Sequence, residues 1–299
     1  MLGHIHPEEA SDMDRLKVIY ILGAGRSGST LLSMLLGNQP GLFNAGEIRY
    51  LLYENMRARD LPCSCGLRVE DCPFWGDVAS NLQGSLINTV TETLRSRNAI
   101  RLFTKTGKNT IRTLSNELQE VYDVIASKAG THVIIDTSKH PLYAYCLKHA
   151  PGIELYIVHL VRDPRGMVSS WSRRKGYLET KPALRVAMTW NLLNGLGEML
   201  FRNYPLYIRL RYEDFGREPL ESLNEIVKFC GLNIDLQNVL HGDGYFHLTK
   251  VQHILAGNPE KYSVGSVIRI RERAWNLPGL VSISTKLLTY ILGKRYGYW

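Results

Sequence analysis

Directly behind a run of strand-forming residues, Lys17–Leu22, the chain carries Gly23-Ala24-Gly25-Arg26-Ser27-Gly28-Ser29-Thr30. β-Branched and aromatic residues ending in glycine predict a buried strand. The following Ser29–Gly37, stopped by Gly37 and Pro40, predicts a helix. A glycine-rich turn from strand into helix presents backbone N–H groups and the positive end of the helix to an anion. This one stretch therefore predicts a phosphate cradle at the carboxyl end of a strand.

Three templates overlap on it. Gly23-x-Gly25-x-x-Gly28 matches a dinucleotide fingerprint, with Glu47 nineteen residues on as a ribose-binding acid. Such an acid normally ends a second strand, whereas Pro40–Gly46 reads as a loop. Gly23-x4-Gly28 also begins a P-loop, but Ser29 stands where that loop needs its lysine. Without the lysine the main contact to the β- and γ-phosphates is missing. The cation of this loop is Arg26.

The rest of the chain supplies the partners of a layered fold. His132–Ile135, Glu154–Val161 and Tyr207–Leu210 read as further strands, and Pro141–His149, Pro182–Phe201 and Pro219–Phe229 as helices, the last closed by Gly231. Apolar positions at Leu114, Leu118, Val121 and Ile125 give helical periodicity within 81–129. Strands alternating with helices predict an α/β fold with a central parallel sheet and helices on both faces. The chain shows no repeat and no low-complexity linker. The expected organisation is a flexible polar tail over 1–14, which holds His4 and His6, and one domain over 15–299 with 51–130 inserted on the acceptor side.

Composition excludes several classes. A 44% hydrophobic share with 21% charged residues rules out a disordered chain. Lys and Arg outnumber Asp and Glu 36 to 28, a net +8 that suits an anionic partner. The basic residues are scattered rather than interleaved with aromatics, which argues against nucleic acid. The apolar runs Val18–Leu22 and Leu155–Val161 are too short to span a bilayer, and a cytoplasmic enzyme is expected. Leu280–Tyr298 reads as a buried or amphipathic terminal helix, with peripheral membrane contact as the lesser alternative. Cys63, Cys65 and Cys72 cluster between Pro62 and Pro73. Zinc takes four ligands and no histidine lies nearby in sequence, so reduced loop cysteines are expected there. Cys146 and Cys230 fall in helical patterns and read as core.

A second motif, His159-Leu160-Val161-Arg162-Asp163-Pro164-Arg165-Gly166-Met167-Val168-Ser169-Ser170, follows the third predicted strand. Arg162 at a strand end offers a planar fork to a phosphate, and Ser170 in the next helix adds a hydroxyl. A nicotinamide enzyme has no need of this element. With the Arg-Ser-Gly-Ser-Thr loop, the chain resembles sulfotransferases that use 3′-phosphoadenosine 5′-phosphosulfate (PAPS). The similarity extends to bacterial-type, protein-tyrosine and carbohydrate members and runs over about residues 17–275.

That resemblance implies a P-loop-like three-layer fold and in-line transfer of a sulfuryl group to a hydroxyl of a sugar, glycolipid, phenol or alcohol, without Mg²⁺. It places the 5′-phosphosulfate on Gly25, Arg26, Ser27, Gly28, Ser29 and Thr30, and the 3′-phosphate on Arg162 and Ser170. Tyr212, in Arg211-Tyr212-Glu213-Asp214-Phe215, would meet the adenine. Asn258 and Lys261 lie in a stretch resembling a loop that closes over the nucleotide, and nearby His253 is a minor candidate for donor contact. Arg26 and Lys139 would carry the chemistry. Glu47, similar to the glutamate of protein-tyrosine members, is the favoured base, and His140, at a strand end like the histidine of cytosolic members, is its rival. A P-loop phosphotransferase remains the alternative. The acceptor and the oligomeric state are not legible.

Overall fold

The computed structural model describes residues 15–52, 62–82, 104, 107–174, 178–236, 240–241, 245–250, 252–262, 267–269 and 277–299. The expected tail with His4 and His6 lies outside the described residues, as do 53–61 and 83–103 of the expected insertion.

Five parallel strands form the central sheet: β1 (Leu16–Leu22), β2 (Leu42–Gly46), β3 (Val133–Lys139), β4 (Ile153–Val161) and β5 (Tyr207–Arg211), in the order β2-β3-β1-β4-β5. Strand β1 is central and buried on both faces, and its side chains alternate between two cores. Leu16, Val18, Tyr20 and Leu22 join one cluster with residues of α3 (Gly107–Ala129) and α4 (Pro141–Leu147). Ile19 and Ile21 join the other with residues of α1 (Ser29–Gly37) and α8 (Pro219–Phe229). The expected three-layer arrangement is thus the observed one.

Short helices α2 (Trp75–Asn81), α5 (Pro164–Trp171) and α7 (Tyr212–Arg217) flank longer ones, α6 (Ala183–Phe201) and α9 (Gly279–Arg295). A small antiparallel sheet, β6 (Leu240–His241), β7 (Tyr245–His247) and β8 (Val267–Arg269), lies apart from the main one. Among the described residues no helix is long and apolar enough to cross a membrane. Helix α9 nevertheless leaves Leu280, Leu287 and Ile291 largely exposed.

One expectation needs correcting. Residues 40–46 do not form a plain loop, because Leu42–Gly46 is strand β2, paired in parallel with β3. Its polar Asn44 disguised it. Asn44 is buried, and its amide donates to Ser33 Oγ (3.1 Å) and Gln252 Oε1 (2.9 Å), so the strand loses little by carrying it. Glu47 does follow a strand, yet β3 separates β2 from β1. A dinucleotide fold of order 3-2-1-4 requires those two strands to be neighbours. The topology, not loop character, disposes of the dinucleotide template.

His159 of β4 is fully buried, with Nδ1 2.9 Å from the Tyr207 hydroxyl and Nε2 3.0 Å from Asn194 Oδ1. Burial, against the Asn194 hydrogen bond, pulls its pKa from 6.5 to about 4. The unfolded chain binds this proton more readily, so the histidine costs nothing above pH 6.5 and destabilises the fold as pH falls toward 4. His159→Gln should therefore lose less stability than wild type between about pH 7 and about pH 4.5, by on the order of 3 kcal/mol in urea titrations. An unchanged acid limb would contradict this.

Candidate functional site

The loop after β1 is built around conformations that most residues avoid. Gly28, the residue before α1, has φ 100°, and a Cβ there would lie 2.5 Å from the Tyr212 ring. Only glycine lets the turn pack on that tyrosine. Arg26 takes φ 71° and Lys139, at the end of β3, takes φ 63°. With Ala256 these are the only non-glycine residues of positive φ among those described. Each such conformation costs on the order of 1–3 kcal/mol and tends to persist where function requires it. All three border one cavity or adjoin residues that do.

The cavity, about 280 Å³, opens at the carboxyl ends of the parallel strands, where open α/β sheets bind ligands. Gly25, Arg26, Ser29 and Thr30 line it from the loop and α1; Glu47, Arg49 and Tyr50 from the turn after β2; Ser138, Lys139 and His140 from the end of β3; Gly257 and Asn258 from the far side. Six predicted catalytic or donor-binding side chains thus converge there from three separate segments, and Asn258 joins them from a fourth.

Arg26 is nearly buried. Its Nη1 donates to Asn258 Oδ1 (3.1 Å), and its guanidinium lies 4.8 Å from the centre of the Trp171 ring. The Asn258 backbone N–H donates to Thr30 Oγ1 (3.3 Å), which ties the 257–258 segment to the start of α1. Ser27 Oγ is buried with no hydrogen-bond partner among the described residues. A buried hydroxyl in that state, inside a glycine loop at a helix start, fits an anion's oxygen as its partner.

Arg162 ends β4 with its guanidinium stacked 4.2 Å from the Tyr212 ring centre and Nη1 donating to the Arg26 carbonyl (2.9 Å). The neighbouring Asp163 pairs with Arg165 (2.6 Å) and caps α5, so no ion pair joins Arg162 to Asp163. Glu213 accepts from the Asp163 backbone N–H (3.0 Å), which fixes the turn. Ser170 lies half-buried in α5. Tyr212 is buried beneath Arg162 and against Gly28 and does not line the cavity.

Across the cavity Lys139 Nζ donates to Glu47 Oε1 (2.7 Å) and to the Thr137 carbonyl (2.9 Å), and Arg49 approaches Glu47 Oε2 at 3.9 Å. His140 caps α4, where its Nδ1 accepts the Tyr143 N–H (3.4 Å). Burial first, and then the charge of Arg49, lower its pKa to about 4, so the ring is neutral at pH 7. A neutral ring whose Nδ1 accepts must carry its proton on Nε2. In that tautomer His140 presents Nε2–H as a donor.

Two placements differ from expectation. Lys261 is fully buried, and its Nζ donates to the Pro62 carbonyl (2.5 Å) rather than lining the cavity. His253, a minor candidate for donor contact, stands among Cys63, Cys65 and Cys72 and does not line the cavity. The rest of the cavity lining among the described residues is Met167, Trp171, Leu178, Lys181, Val186, Thr189 and Leu193, and no described residue of 51–130 joins it. The periodic apolar face of α3 is spent on the core instead. Arg49, Lys181 and the α6 wall lie outside any recognisable motif, so sequence reading missed them; only the helical spacing of Val186, Thr189 and Leu193 hinted at a shared face.

Two cationic strand ends beside one cavity, with a carboxylate opposite, suit the handling of an anionic group. A model described as "Sulfotransferase family" matches residues 18–235, and the chain belongs to that family. Human carbohydrate sulfotransferase 5 is 25% identical over 85% of this chain and 72% of its own length. Human carbohydrate sulfotransferase 6 is 25% identical over 76% and 68%. Among solved structures, the sulfotransferase domain of the Synechococcus PCC 7002 olefin synthase shares the fold, with TM-score 0.57 at 21% identity over 96% of this chain and 97% of that one. The sulfotransferase domain from the curacin biosynthetic pathway does so with TM-score 0.53 at 19% identity, over 95% and 98%. The protein is thus a sulfotransferase, an enzyme of PAPS-dependent sulfuryl transfer, and the kinase alternative is set aside.

Proposed function

We propose that the cavity carries in-line sulfuryl transfer from PAPS to a hydroxyl acceptor, with Glu47 as base. The observation that carries this is the meeting of Arg26, Lys139 and Glu47 around one cavity beside the Arg162 strand end. PAPS supplies an activated sulfuryl group on a 5′-phosphate leaving group. The loop N–H groups, Ser27 Oγ and Arg26 hold that phosphate and stabilise charge developing on the bridging oxygen. Lys139 Nζ, held at the cavity by the Thr137 carbonyl, reaches the sulfuryl oxygens, and His140 Nε2–H adds a neutral donor. Glu47 accepts from Lys139 through Oε1, while Oε2, 3.9 Å from Arg49, takes the proton of the attacking hydroxyl. Arg26, Arg49 and Lys139 together supply the positive charge that a phosphotransferase draws from Mg²⁺.

Arg162 and Ser170 grip the 3′-phosphate. Tyr212 positions Arg162 by stacking beneath it, and Asn258 closes the loop through Arg26. The acceptor wall is apolar at Met167, Leu178, Val186 and Leu193 and polar at Thr189 and Tyr50. It suits an alcohol set beside an apolar group. The carbohydrate sulfotransferases among its relatives make a sugar hydroxyl the first class to screen with labelled sulfate, followed by glycolipids, phenols and simple alcohols.

Calorimetry tests the donor site. Arg162→Ala should weaken 3′-phosphoadenosine 5′-phosphate (PAP) by about 10- to 100-fold, the worth of a charged hydrogen bond. Adenosine 5′-phosphate, which lacks the 3′-phosphate, should bind the variant nearly as well as wild type and so reports any damage to the loop. Equal losses for both ligands would contradict the role given to Arg162.

A further inference from the structure

We propose that Cys63, Cys65, Cys72 and His253 form a structural zinc site that ties the 62–76 segment to the 252–258 segment bordering the cavity. The four ligand atoms lie within 4.8 Å of one another. Cys65 and Cys72 Sγ are 3.7 Å apart, and His253 Nδ1 lies 3.7 Å from Cys63 Sγ and 3.3 Å from Cys72 Sγ. A tetrahedral zinc with bonds of about 2.3 Å to sulfur and about 2.0 Å to nitrogen has edges of about 3.8 Å (S···S) and about 3.5 Å (S···N). These three separations match such edges to within about 0.3 Å, and the remaining three fall within 4.8 Å. Three thiolates and one imidazole form a set that selects zinc over hard cations.

The surroundings are those of a closed site. Cys63 and Cys72 are buried, and four protein ligands leave no position for a substrate. The Trp75 N–H points to Cys72 Sγ (3.5 Å), the Gly66 N–H closes a tight turn on the Cys63 carbonyl (2.9 Å), and Phe74 stacks on the His253 ring at 5.5 Å. Backbone donors to sulfur and a packed imidazole hold ligands in place. Zinc with three thiolates and a neutral imidazole carries net charge −1. Lys261, buried and fixed on the carbonyl of Pro62 next to Cys63, sets a cation beside it. A buried lysine that does not line the donor cavity thereby gains a purpose.

The site also has a structural task. Ser64 N–H donates to the Ile254 carbonyl (3.2 Å), Ile254 N–H to Ser64 Oγ (2.8 Å), and Trp75 Nε1 to the His253 carbonyl (2.6 Å). Leu255, two residues on, bridges to Gly46, its carbonyl accepting the Glu47 N–H (2.9 Å). Metal at His253 therefore anchors the segment that sets both Glu47 and, through 257–258, the Arg26 loop. This does not rest on the sulfuryl-transfer reading, and neither falls with the other.

The test begins with the intact protein purified from zinc-supplemented cells. Elemental analysis should find one zinc per chain, released together with the masking of Cys63, Cys65 and Cys72 by an organomercurial. Cobalt substituted for it should give the absorption of tetrahedral, thiolate-bound cobalt. Cys72→Ser and His253→Ala should lose the metal, while His253→Cys, which restores a fourth soft ligand, should keep it. Because the wild-type stoichiometry is read directly, poor folding of a variant leaves the proposal open to refutation. No stoichiometric zinc in the wild-type chain, a Cys65–Cys72 disulfide by mass, or metal retained by a folded Cys72→Ser/His253→Ala double variant would overturn it.

Discussion

Glu47→Gln is expected to lower kcat by roughly 10²–10⁴-fold, the usual range for loss of a general base, and to leave PAP affinity almost unchanged. The amide keeps the shape of the carboxylate and still accepts from Lys139 Nζ, so the cavity is conserved while the proton acceptor is lost. His140→Ala should cost far less, about tenfold, because the neutral ring supplies one hydrogen bond and no base. The tautomer decides between the two: Nδ1 is committed to the Tyr143 N–H, and burial with Arg49 nearby keeps the ring unprotonated down to about pH 4. Single-turnover rates with saturating PAPS make the comparison. Near-normal turnover in Glu47→Gln with abolition in His140→Ala would reverse the assignment.

Arg26→Ala is expected to lower kcat by roughly 10²–10³-fold, as does removal of one preorganised donor from a developing oxyanion. Arg26 is held for this duty. Its left-handed backbone, its hydrogen bond to Asn258 and its place over Trp171 fix the guanidinium before the donor arrives. Arg26→Lys should recover only part of the rate, since one ammonium cannot bond Asn258 and the leaving phosphate with the same planar fork. PAP binding should weaken in both variants through the lost 5′-phosphate contact. A kcat for Arg26→Ala within about threefold of wild type would remove electrostatic stabilisation from the loop's duties.

The donor half was readable in the sequence because its chemistry is local. The loop after β1 and Arg162 after β4 each lie within a few residues of a strand end, where backbone geometry determines what they can bind. Strand β2 was hidden because an edge strand of five residues with a buried asparagine and a closing glycine has little periodicity to show. The acceptor wall was hidden because α6 reaches the cavity by packing, not by motif. Tyr212 was placed by its motif, but its stacking beneath Arg162 needed the tertiary structure. His253 lies 181 residues from Cys72, a separation at which sequence spacing carries no metal signature.

The central claim is that Arg26 and Arg162, ending adjacent parts of one sheet, serve the two phosphates of a single adenosine nucleotide. A crystal structure of the protein with bound PAP tests it most directly. The 5′-phosphate should sit on the 25–30 loop within hydrogen-bonding reach of Arg26 and Ser27, and the 3′-phosphate on Arg162 and Ser170. PAP bound elsewhere, or with its 3′-phosphate turned to solvent away from Arg162, would contradict the account.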